Sequence, residues 1–406
     1  MFVPTLLASS AGVPDASAAP SIEISSPLEN AEIAGPLNLI EVSGNASPGP
    51  FVDQDLVLVV DVSSSTLLPS GVDVNGNGRV GWPVVGASHY RPGLVWVSSD
   101  PGDSVRAAEF FAARRLLDAV DSRRTRVGLV VFEKKVRKSL PVSTARGEVE
   151  AAIAHFQEMG TDLGGNTNFA VALRAALEGL EVTRSGSEEA KRARHVIFLS
   201  DGLPNEPAPE KCAAEEALAA AAEIRAAGAD IQAFALGRAE QEANDLLVYQ
   251  RMAELTGGSL TRLPNPADVV THLPRIDLVG ITALELTNQT TGQPARALRL
   301  GPDGSFDGFV FLAQGENRIE VRVRDREERS ATRDRIVTYR LPEPKDADQA
   351  RRFDEEGKLL LERLRARTVE TELVHEIEQA RSGQGTQGRE LELRASPEKE
   401  TPFEAR

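Results

Sequence analysis

The chain has 406 residues, enough for roughly two to four domains. Hydrophobic residues make up 41% and charged residues 26%, a balance typical of folded globular proteins. The net charge of −15 disfavours nucleic-acid binding, which needs many Lys and Arg side chains for the phosphates. A single cysteine, Cys212, excludes an intrachain disulfide and a Cys-based metal cluster, and 5 histidines argue against a His-rich site. Oxygen-bearing side chains are therefore the metal ligands that the composition leaves available.

The segment 1–20 resembles a secretory signal. An apolar stretch over 2–7 is followed by small residues and by Ala-Ser-Ala at 16–18, a pattern typical of signal cleavage sites. No Lys or Arg precedes Arg79, so the usual basic start is missing, and a disordered tail is the alternative. No apolar run approaches the ~18 residues of a membrane-spanning helix. We therefore expect a protein of the cell surface, the periplasm or the extracellular space, with no integral membrane span.

Strand patterns lie on either side of a long central region. The segments 21–48 and 276–341 predict two and five short strands, at 21–25, 37–43, 281–286, 296–300, 308–312, 317–323 and 336–339. Residues 302–325 also resemble bacterial immunoglobulin-like repeats. Because an immunoglobulin-like sandwich needs about seven strands, we predict one sandwich with the region 53–273 inserted between its second and third strands. A separate strand pair beside a small β domain is the alternative.

The region 53–273 alternates apolar runs with helical patterns. The predicted strands are 56–61, 126–132, 195–200, 231–236 and 259–262. The predicted helices are 104–121, 147–158, 167–181, 210–227, 246–256 and 266–272. The first strand is apolar from 56 to 60, as in strands that are covered on both faces. This alternation predicts an α/β fold with a doubly wound, mostly parallel sheet, whose ligands bind outside the carboxyl ends of the strands.

Oxygen-bearing side chains stand at three such positions in the predicted fold. They are a D-x-S-x-S pattern after the first strand, a threonine in a Gly-rich turn before a helix, and an aspartate after strand 195–200: Asp61, Ser63, Ser65, Thr167 and Asp201. Mg²⁺ takes about six oxygen ligands and retains some waters. Because only two of the five side chains are carboxylates, the ion would remain a strong Lewis acid. A carboxylate from a partner could then occupy an open position.

Together these motifs resemble the metal-ion-dependent adhesion site of the von Willebrand factor type A (vWA) domain. The resemblance covers 56–273, with the three motifs in the family's order. It implies a Rossmann-like sheet with Mg²⁺, Mn²⁺ or Ca²⁺ at its upper edge, held by Asp61, Ser63, Ser65, Thr167 and Asp201. It also implies ligand binding rather than catalysis. The alternative is that the hydroxyl side chains only cap turns and helices.

One departure from the family is an insertion over 66–103, because the family's helix usually follows D-x-S-x-S almost at once. The insertion must lie near the metal-bearing rim, as part of the recognition surface or as a shield. It holds both tryptophans of the chain, Trp82 and Trp96. We expect them to anchor the insertion, with a contact surface near the ion as the alternative.

Within the insertion, residues 73–81 resemble the first half of an EF-hand-like Ca²⁺ loop, with ligand residues at alternate positions and Gly at position 6. The candidate ligand residues are Asp73, Asn75, Asn77 and Arg79. Position 12 of the loop is Val84 rather than an acidic residue, so Asp100 or Asp103 would have to complete the shell. A tight polar turn without a metal is the alternative.

The remaining features point away from catalysis. We expect Cys212 to be a small buried residue in a helix and His195 to be a surface or strand-boundary residue rather than a base. No G-x-S-x-G nucleophile motif is present.

Residues 345–381 predict a charged helix that pairs with a partner or is simply solvated. Residues 382–406 are rich in Gly, Gln, Ser and Glu and predict disorder.

The leading hypothesis is an exported adhesion-type protein that binds a protein ligand with an exposed Asp or Glu through a divalent cation. The alternative is a scaffold or assembly factor of the cell envelope, in which the metal is only structural. An enzyme is the least favoured class, and we expect none.

Overall fold

The computed structural model describes residues 19–35, 37–87, 94–158, 165–180, 192–237, 246–341, 348–349 and 351–368. The expected signal-like segment lies outside this part of the chain, except for residues 19 and 20. The expected tail, 382–406, and the end of the charged segment, 369–381, also lie outside it.

In the described part of the chain, the strands are β1 (Ser21–Ser26), β2 (Ala31–Ala34), β3 (Leu39–Ser47), β4 (Gln54–Asp61), β5 (Pro83–Ala87), β6 (Leu94–Ser98), β7 (Thr125–Phe132), β8 (Val136–Leu140), β9 (Ala193–Ser200), β10 (Asp230–Leu236), β11 (Ser259–Leu263), β12 (Ile281–Asn288), β13 (Gln293–Pro294), β14 (Arg296–Leu300), β15 (Ser305–Phe311), β16 (Gly315–Asp325) and β17 (Ser330–Arg340). The α-helices are α1 (Val105–Ala119), α2 (Arg146–Glu158), α3 (Phe169–Gly179), α4 (Glu210–Ala226), α5 (Leu247–Thr256), α6 (Val269–His272) and α7 (351–368).

The central α/β region contains a six-stranded sheet in the order β11-β10-β9-β4-β7-β8. Its strands run parallel except β8, which joins the edge antiparallel to β7. Leu56, Leu58 and Val60 enter the core under α1 and α2, whereas Val57 and Val59 enter the core under α3, α4 and α5. Burial on both faces explains the continuous apolar run of β4. The predicted α/β class with a doubly wound, mostly parallel sheet is confirmed.

The strand order reverses at β4, which lies between β9 and β7. Crossovers leave on opposite sides of such a point and open a crevice at the carboxyl ends of the strands. Asp61 is the last residue of β4, and Asp201 follows the last residue of β9. The fold therefore places both carboxylates at the crevice.

Two antiparallel-rich sheets form a β-sandwich from chain segments on both sides of the α/β region. Their strand orders are β1-β3-β15-β14 and β13-β12-β16-β17-β2. Val42 from the first sheet and Ile319 and Val337 from the second share one apolar core. The segment before the α/β region contributes three strands rather than the expected two, because 31–34 pairs in parallel with β17. An immunoglobulin-like topology stays a prediction.

The sandwich contacts the α/β region at the amino-terminal end of its sheet. Asp303 accepts hydrogen bonds through Oδ2 from the backbone N of Asp121 at 2.8 Å and from Thr125 Oγ1 at 2.6 Å. Ser305 Oγ donates to the carbonyl of Ala119 at 2.9 Å. Because Thr125 begins β7, this contact lies at the end of the sheet opposite to Asp61, and the sandwich leaves the metal-site rim uncovered.

Helix α7 packs against the first sandwich sheet within its own chain. Arg363 pairs with Glu41. Arg367 pairs with Asp307 and lies 3.6 Å from Glu41. The predicted charged helix is thus present over 351–368. Its ion pairs with Glu41 and Asp307 are intramolecular.

Candidate metal centre

The proposed ligands are carried by the loops that follow β4 and β9 and that precede α3. Ser63 and Ser65 lie at the start of a 3-10 turn, Ser64–Leu67, directly after Asp61. Thr167 lies two residues before α3. The backbone N of Ser64 donates to the carbonyl of Gly165 at 3.4 Å, so the loop after β4 contacts the loop before α3.

Four of the five predicted residues form one connected set of contacts. The backbone N of Ser63 donates to Asp61 Oδ1 at 2.7 Å, and the hydroxyls of Ser63 and Ser65 are 3.2 Å apart. Ser65 Oγ donates to Asp201 Oδ1 at 2.6 Å. Alternate residues after an extended strand thus turn their oxygens towards a common centre, as the D-x-S-x-S spacing predicts.

Thr167 borders the same space. A methyl group on Gly202 would lie 3.6 Å from Thr167 Oγ1 and 3.7 Å from Ser65 Oγ. The Thr167 backbone is fixed from both sides: its N donates to Asn205 Oδ1 at 2.8 Å, and its carbonyl accepts from the N of Asn205 at 3.0 Å. The structure therefore brings all five predicted side chains to one rim.

Ser200 is a site residue that the sequence analysis missed. Its Oγ donates to Asp61 Oδ2 at 2.6 Å and accepts from the backbone N of Gly202 at 3.2 Å. It thereby fixes the carboxylate that ends the neighbouring strand. In the sequence, Ser200 is marked only by its position next to Asp201. The pairing of β4 with β9 is what turns its hydroxyl towards Asp61.

Arg106 is a second residue that the sequence analysis missed. It is buried near the start of α1, and its Nη2 donates to the carbonyl of Val62 at 3.1 Å while Nε donates to Thr66 Oγ1 at 3.4 Å. Burial lowers the pKa of its guanidinium to about 10, against the opposing charges of Glu109 and Asp61. Arg106 holds both ends of the serine-bearing loop.

Negative charge is in excess beneath the rim. Four acidic side chains are buried here: Asp61, Glu109, Glu133 and Asp201. Arg106 interacts electrostatically with all four carboxylates. Arg137 forms an ion pair with Glu133 at 2.5 Å. Burial raises the pKa of Asp61 from 3.8 to about 6, although Ser200 and Ser63 donate hydrogen bonds to it. Buried charge is costly without a counter-charge, and hard oxygen ligands suit Mg²⁺ or Mn²⁺. The residues fit a divalent cation.

The tryptophans of the insertion are exposed, so the expectation that they anchor it is wrong. Trp82 is 62% and Trp96 60% exposed. Trp96 pairs across the β5–β6 hairpin with Val85, which is 50% exposed. Strand β6 lies against the 3-10 turn that carries Ser65. The hairpin therefore presents an apolar face next to the metal-site rim.

The candidate calcium loop brings its predicted side chains together with Asp100. Backbone N atoms of Asn77 and Gly78 donate to the Asp73 carboxylate at 3.1 and 2.7 Å, and Asn77 Oδ1 accepts from the N of Arg79 at 2.9 Å. The amides of Asn75 and Asn77 contact Asp100 at 3.1 and 2.6 Å. Hydrogen bonding, chiefly from Asn77, lowers the pKa of Asp100.

Asp103 binds the backbone of the loop, whereas Asp100 binds its side-chain amides. Its two carboxylate oxygens accept from the backbone N atoms of Val74 at 2.8 Å and Gly81 at 2.9 Å. It braces the loop from inside, because its side chain is fully buried. Asp100 is therefore the acidic residue that lies beside the loop amides. Calcium binding at 73–81 stays a prediction.

His195 lies near a strand boundary, as expected, but is not at the surface, and Cys212 is not buried as expected. His195 is buried, with Nδ1 2.9 Å from Asp230 Oδ2 and Nε2 2.8 Å from Gln54 Oε1. It lies at the amino-terminal end of the sheet, far from Ser63. Cys212 is exposed on α4, because the Ala-rich helix turns Ala213 and Ala217 to the core instead.

The described residues contain no group of three or more His, Cys, Asp and Glu side chains arranged to hold a metal ion. The rim at Asp61 instead combines two carboxylates with three hydroxyls. In the described part of the chain, no helix is long and apolar enough to cross a membrane.

The sequence profile of the von Willebrand factor type A domain matches residues 107–257. The match includes Thr167 and Asp201 and begins after the insertion that separates Asp61 from α1. The curated proteins include no match.

Several solved structures are similar to this chain. Proximal thread matrix protein 1 from the mussel byssus, with a zinc-occupied MIDAS motif, is 17% identical over 55% of this chain and 46% of its own length, with a TM-score of 0.36. An aerotolerance-related membrane protein from Bacteroides fragilis is 15% identical over 55% of this chain and 97% of its own (TM-score 0.35). The PilB minor pilin from Streptococcus sanguinis is 12% identical over 57% of this chain and 72% of its own (TM-score 0.37). This chain thus spans about half the length of the mussel protein.

Proposed function

We propose that this protein binds a partner protein through a divalent cation held at the rim of its α/β sheet. Asp61, Ser63, Ser65, Thr167 and Asp201 are the residues that would hold the ion. The observation that carries the proposal is the contact between Ser65 Oγ and Asp201 Oδ1 at 2.6 Å, since it joins motifs from distant parts of the sequence. Mg²⁺ is the expected resident ion, with Mn²⁺ or Ca²⁺ as substitutes.

The ligand chemistry favours a carboxylate as the recognised group. When bound, the cation supplies an electrophilic position for an Asp or Glu side chain of the partner. The chain itself offers two carboxylates and three neutral hydroxyls, fewer than the about six oxygens that Mg²⁺ requires. The sandwich contacts the opposite end of the sheet and therefore does not cover the rim.

The exposed hairpin extends the proposed contact surface. Trp82, Val85 and Trp96 offer apolar area beside the rim, and aromatic side chains are enriched in protein interfaces. We propose that the partner places apolar residues next to its acidic side chain. Export to the cell surface, the periplasm or the medium remains part of the proposal. Comparing the mass of the mature protein with that of residues 1–406 tests it.

The direct test uses Mn²⁺ as a probe. Water-proton relaxation measures Mn²⁺ binding by the purified chain and by the Asp61→Ala variant. We expect binding to the wild type and a loss of at least about tenfold in the variant, because a charged ligand of a hard cation is removed. Unchanged Mn²⁺ affinity in Asp61→Ala would refute the metal site.

A second step tests recognition of the carboxylate. An acetylated, amidated peptide with one Asp between aromatic residues is added to the Mn²⁺-loaded protein, and the matched Asn peptide is the control. We expect only the Asp peptide to displace bound water and lower the relaxation enhancement. Metal binding without any difference between the peptides would favour the alternative function, a scaffold with a structural metal.

A further inference from the structure

Glu109 lies on the face of α1 that packs against the metal-binding loop. It follows Arg106 by three residues, and residues at this spacing share one side of a helix. Arg106 donates to the carbonyl of Val62 and to Thr66 Oγ1, which fixes that side of α1 against the loop after Asp61. Glu109 therefore sits one turn further along the same contact.

The carboxylate of Glu109 is buried without a hydrogen-bond partner. Its side chain is fully buried, and neither Oε1 nor Oε2 has a hydrogen-bond partner among the described residues. Burial, followed by the charges of Asp201 and Asp61, raises the pKa of Glu109 well above its usual value, and the charge of Arg106 opposes this shift. A buried carboxylate with no donor costs several kcal/mol as an order of magnitude. A function that needs the acid would explain its presence.

The buried charges beneath the rim do not balance one another. Glu133 is compensated by Arg137 at 2.5 Å, and Arg106 can balance one of the three other buried acids. With all three acids ionised, two negative charges then remain among the described residues beneath the rim, which equals the charge of one divalent cation. The three metal-site motifs supply only Asp61 and Asp201 as acidic ligands.

We propose that Glu109 is a third acidic residue of the metal centre, placed behind the ligands and balanced only when the cation is bound. This inference rests on the proposed function. Glu109 acts through its charge from α1, while Asp61 and Asp201 supply the oxygens at the rim. Ion occupancy is thereby coupled to the packing of α1 against the sheet.

The test is the isosteric variant Glu109→Gln, with Glu148→Gln on the exposed side of α2 as the matched control. Mn²⁺ affinity is measured by calorimetry, and thermal unfolding is followed with and without Mn²⁺. For Glu109→Gln we expect affinity at least about tenfold weaker, because an uncompensated charge in a low-dielectric region acts strongly on a nearby cation. We also expect the metal-free variant to melt at a higher temperature than the metal-free wild type.

These two changes have opposite signs, which a purely structural role does not produce. A loss of affinity smaller than about tenfold would overturn the inference, whatever happens to the melting temperature. A lower melting temperature of the metal-free variant would also overturn it. If the wild type itself binds no Mn²⁺, the proposed function fails first. If the wild type binds and Glu109→Gln binds equally, only this inference fails.

Discussion

Ser65 Oγ donates a hydrogen bond of 2.6 Å to Asp201 Oδ1, although the two residues are 136 positions apart. The contact exists because β4 and β9 are neighbours in register and end at the same rim. It fixes the relative position of two of the three motifs. Four predictions follow from this arrangement and from the residues around it.

The metal-free protein should lose stability as the pH rises through about 6. Burial raises the pKa of Asp61 from 3.8 to about 6, so the folded state holds a proton that the unfolded state has released. The stability that this proton gives is complete below pH 3.8 and lost above 6. A pKa change of this size corresponds to about 3 kcal/mol.

Thermal unfolding in chelator at pH 5 and pH 7 measures this effect, with Asp61→Asn as the control without the titration. We expect the wild type to lose more stability than Asp61→Asn between the two pH values. We also expect Mg²⁺ to raise the melting temperature of the wild type more at pH 7 than at pH 5. Equal pH dependence in both proteins would show that Asp61 does not carry the effect.

Replacing Arg106 should loosen the ligand loop. Arg106→Met removes the donors to Val62 and Thr66 and leaves buried carboxylates without their cation, a change that costs about 3–5 kcal/mol in comparable cases. Chemical denaturation in Mg²⁺ measures the loss. Arg225→Met on the exposed end of α4 is the control. Stability of Arg106→Met within about 0.5 kcal/mol of the wild type would contradict this role.

The tryptophans should contribute to ligand binding beside the rim but not to the stability of the fold. Because Trp82 and Trp96 are mostly exposed, iodide should quench most of the native fluorescence. Trp96→Ala should change stability by no more than about 0.5 kcal/mol and leave Mn²⁺ affinity unchanged. It should weaken binding of the aromatic Asp peptide. Weak quenching combined with a large stability loss would restore the view that these residues anchor the insertion.

The insertion should respond to Ca²⁺ independently of the rim. In the Asp61→Ala background, Ca²⁺ should protect residues 73–81 from proteolysis, because the oxygen-bearing side chains of Asn75 and Asn77 lie within hydrogen-bond distance of the Asp100 carboxylate. Asp100→Ala should remove this protection. Protection that is absent from Asp61→Ala itself, or unchanged by Asp100→Ala, would favour a polar turn without a metal.

Much of the α/β region could be predicted because its local and global preferences agree. The apolar run 56–60, the cap residue Ser104 and the Gly-rich turn before α3 each define an element without tertiary information. The predicted ligands could be placed on one rim because parallel strands share a carboxyl end. The edge strand β8 was missed because its sequence, VRKSL, carries two charges and no clear alternation.

The buried charges could not be predicted from the sequence. Arg106 and Glu109 look like ordinary surface residues of a charged helix, and only the packing of α1 against the loop shows that both are buried. The exposure of Trp82 and Trp96 was likewise hidden, since aromatic residues usually fill cores. The residues whose burial differs from what their type predicts, two buried charged side chains and two exposed tryptophans, thus lie at the rim or beside it.

A crystal of the protein soaked in Mn²⁺, measured at the manganese absorption edge, tests the central claim most directly. The account predicts an anomalous peak at the rim, within coordination distance of oxygens from the loops of Asp61 and Asp201 and near Thr167. A peak only elsewhere, with the rim empty at saturating Mn²⁺, would contradict it.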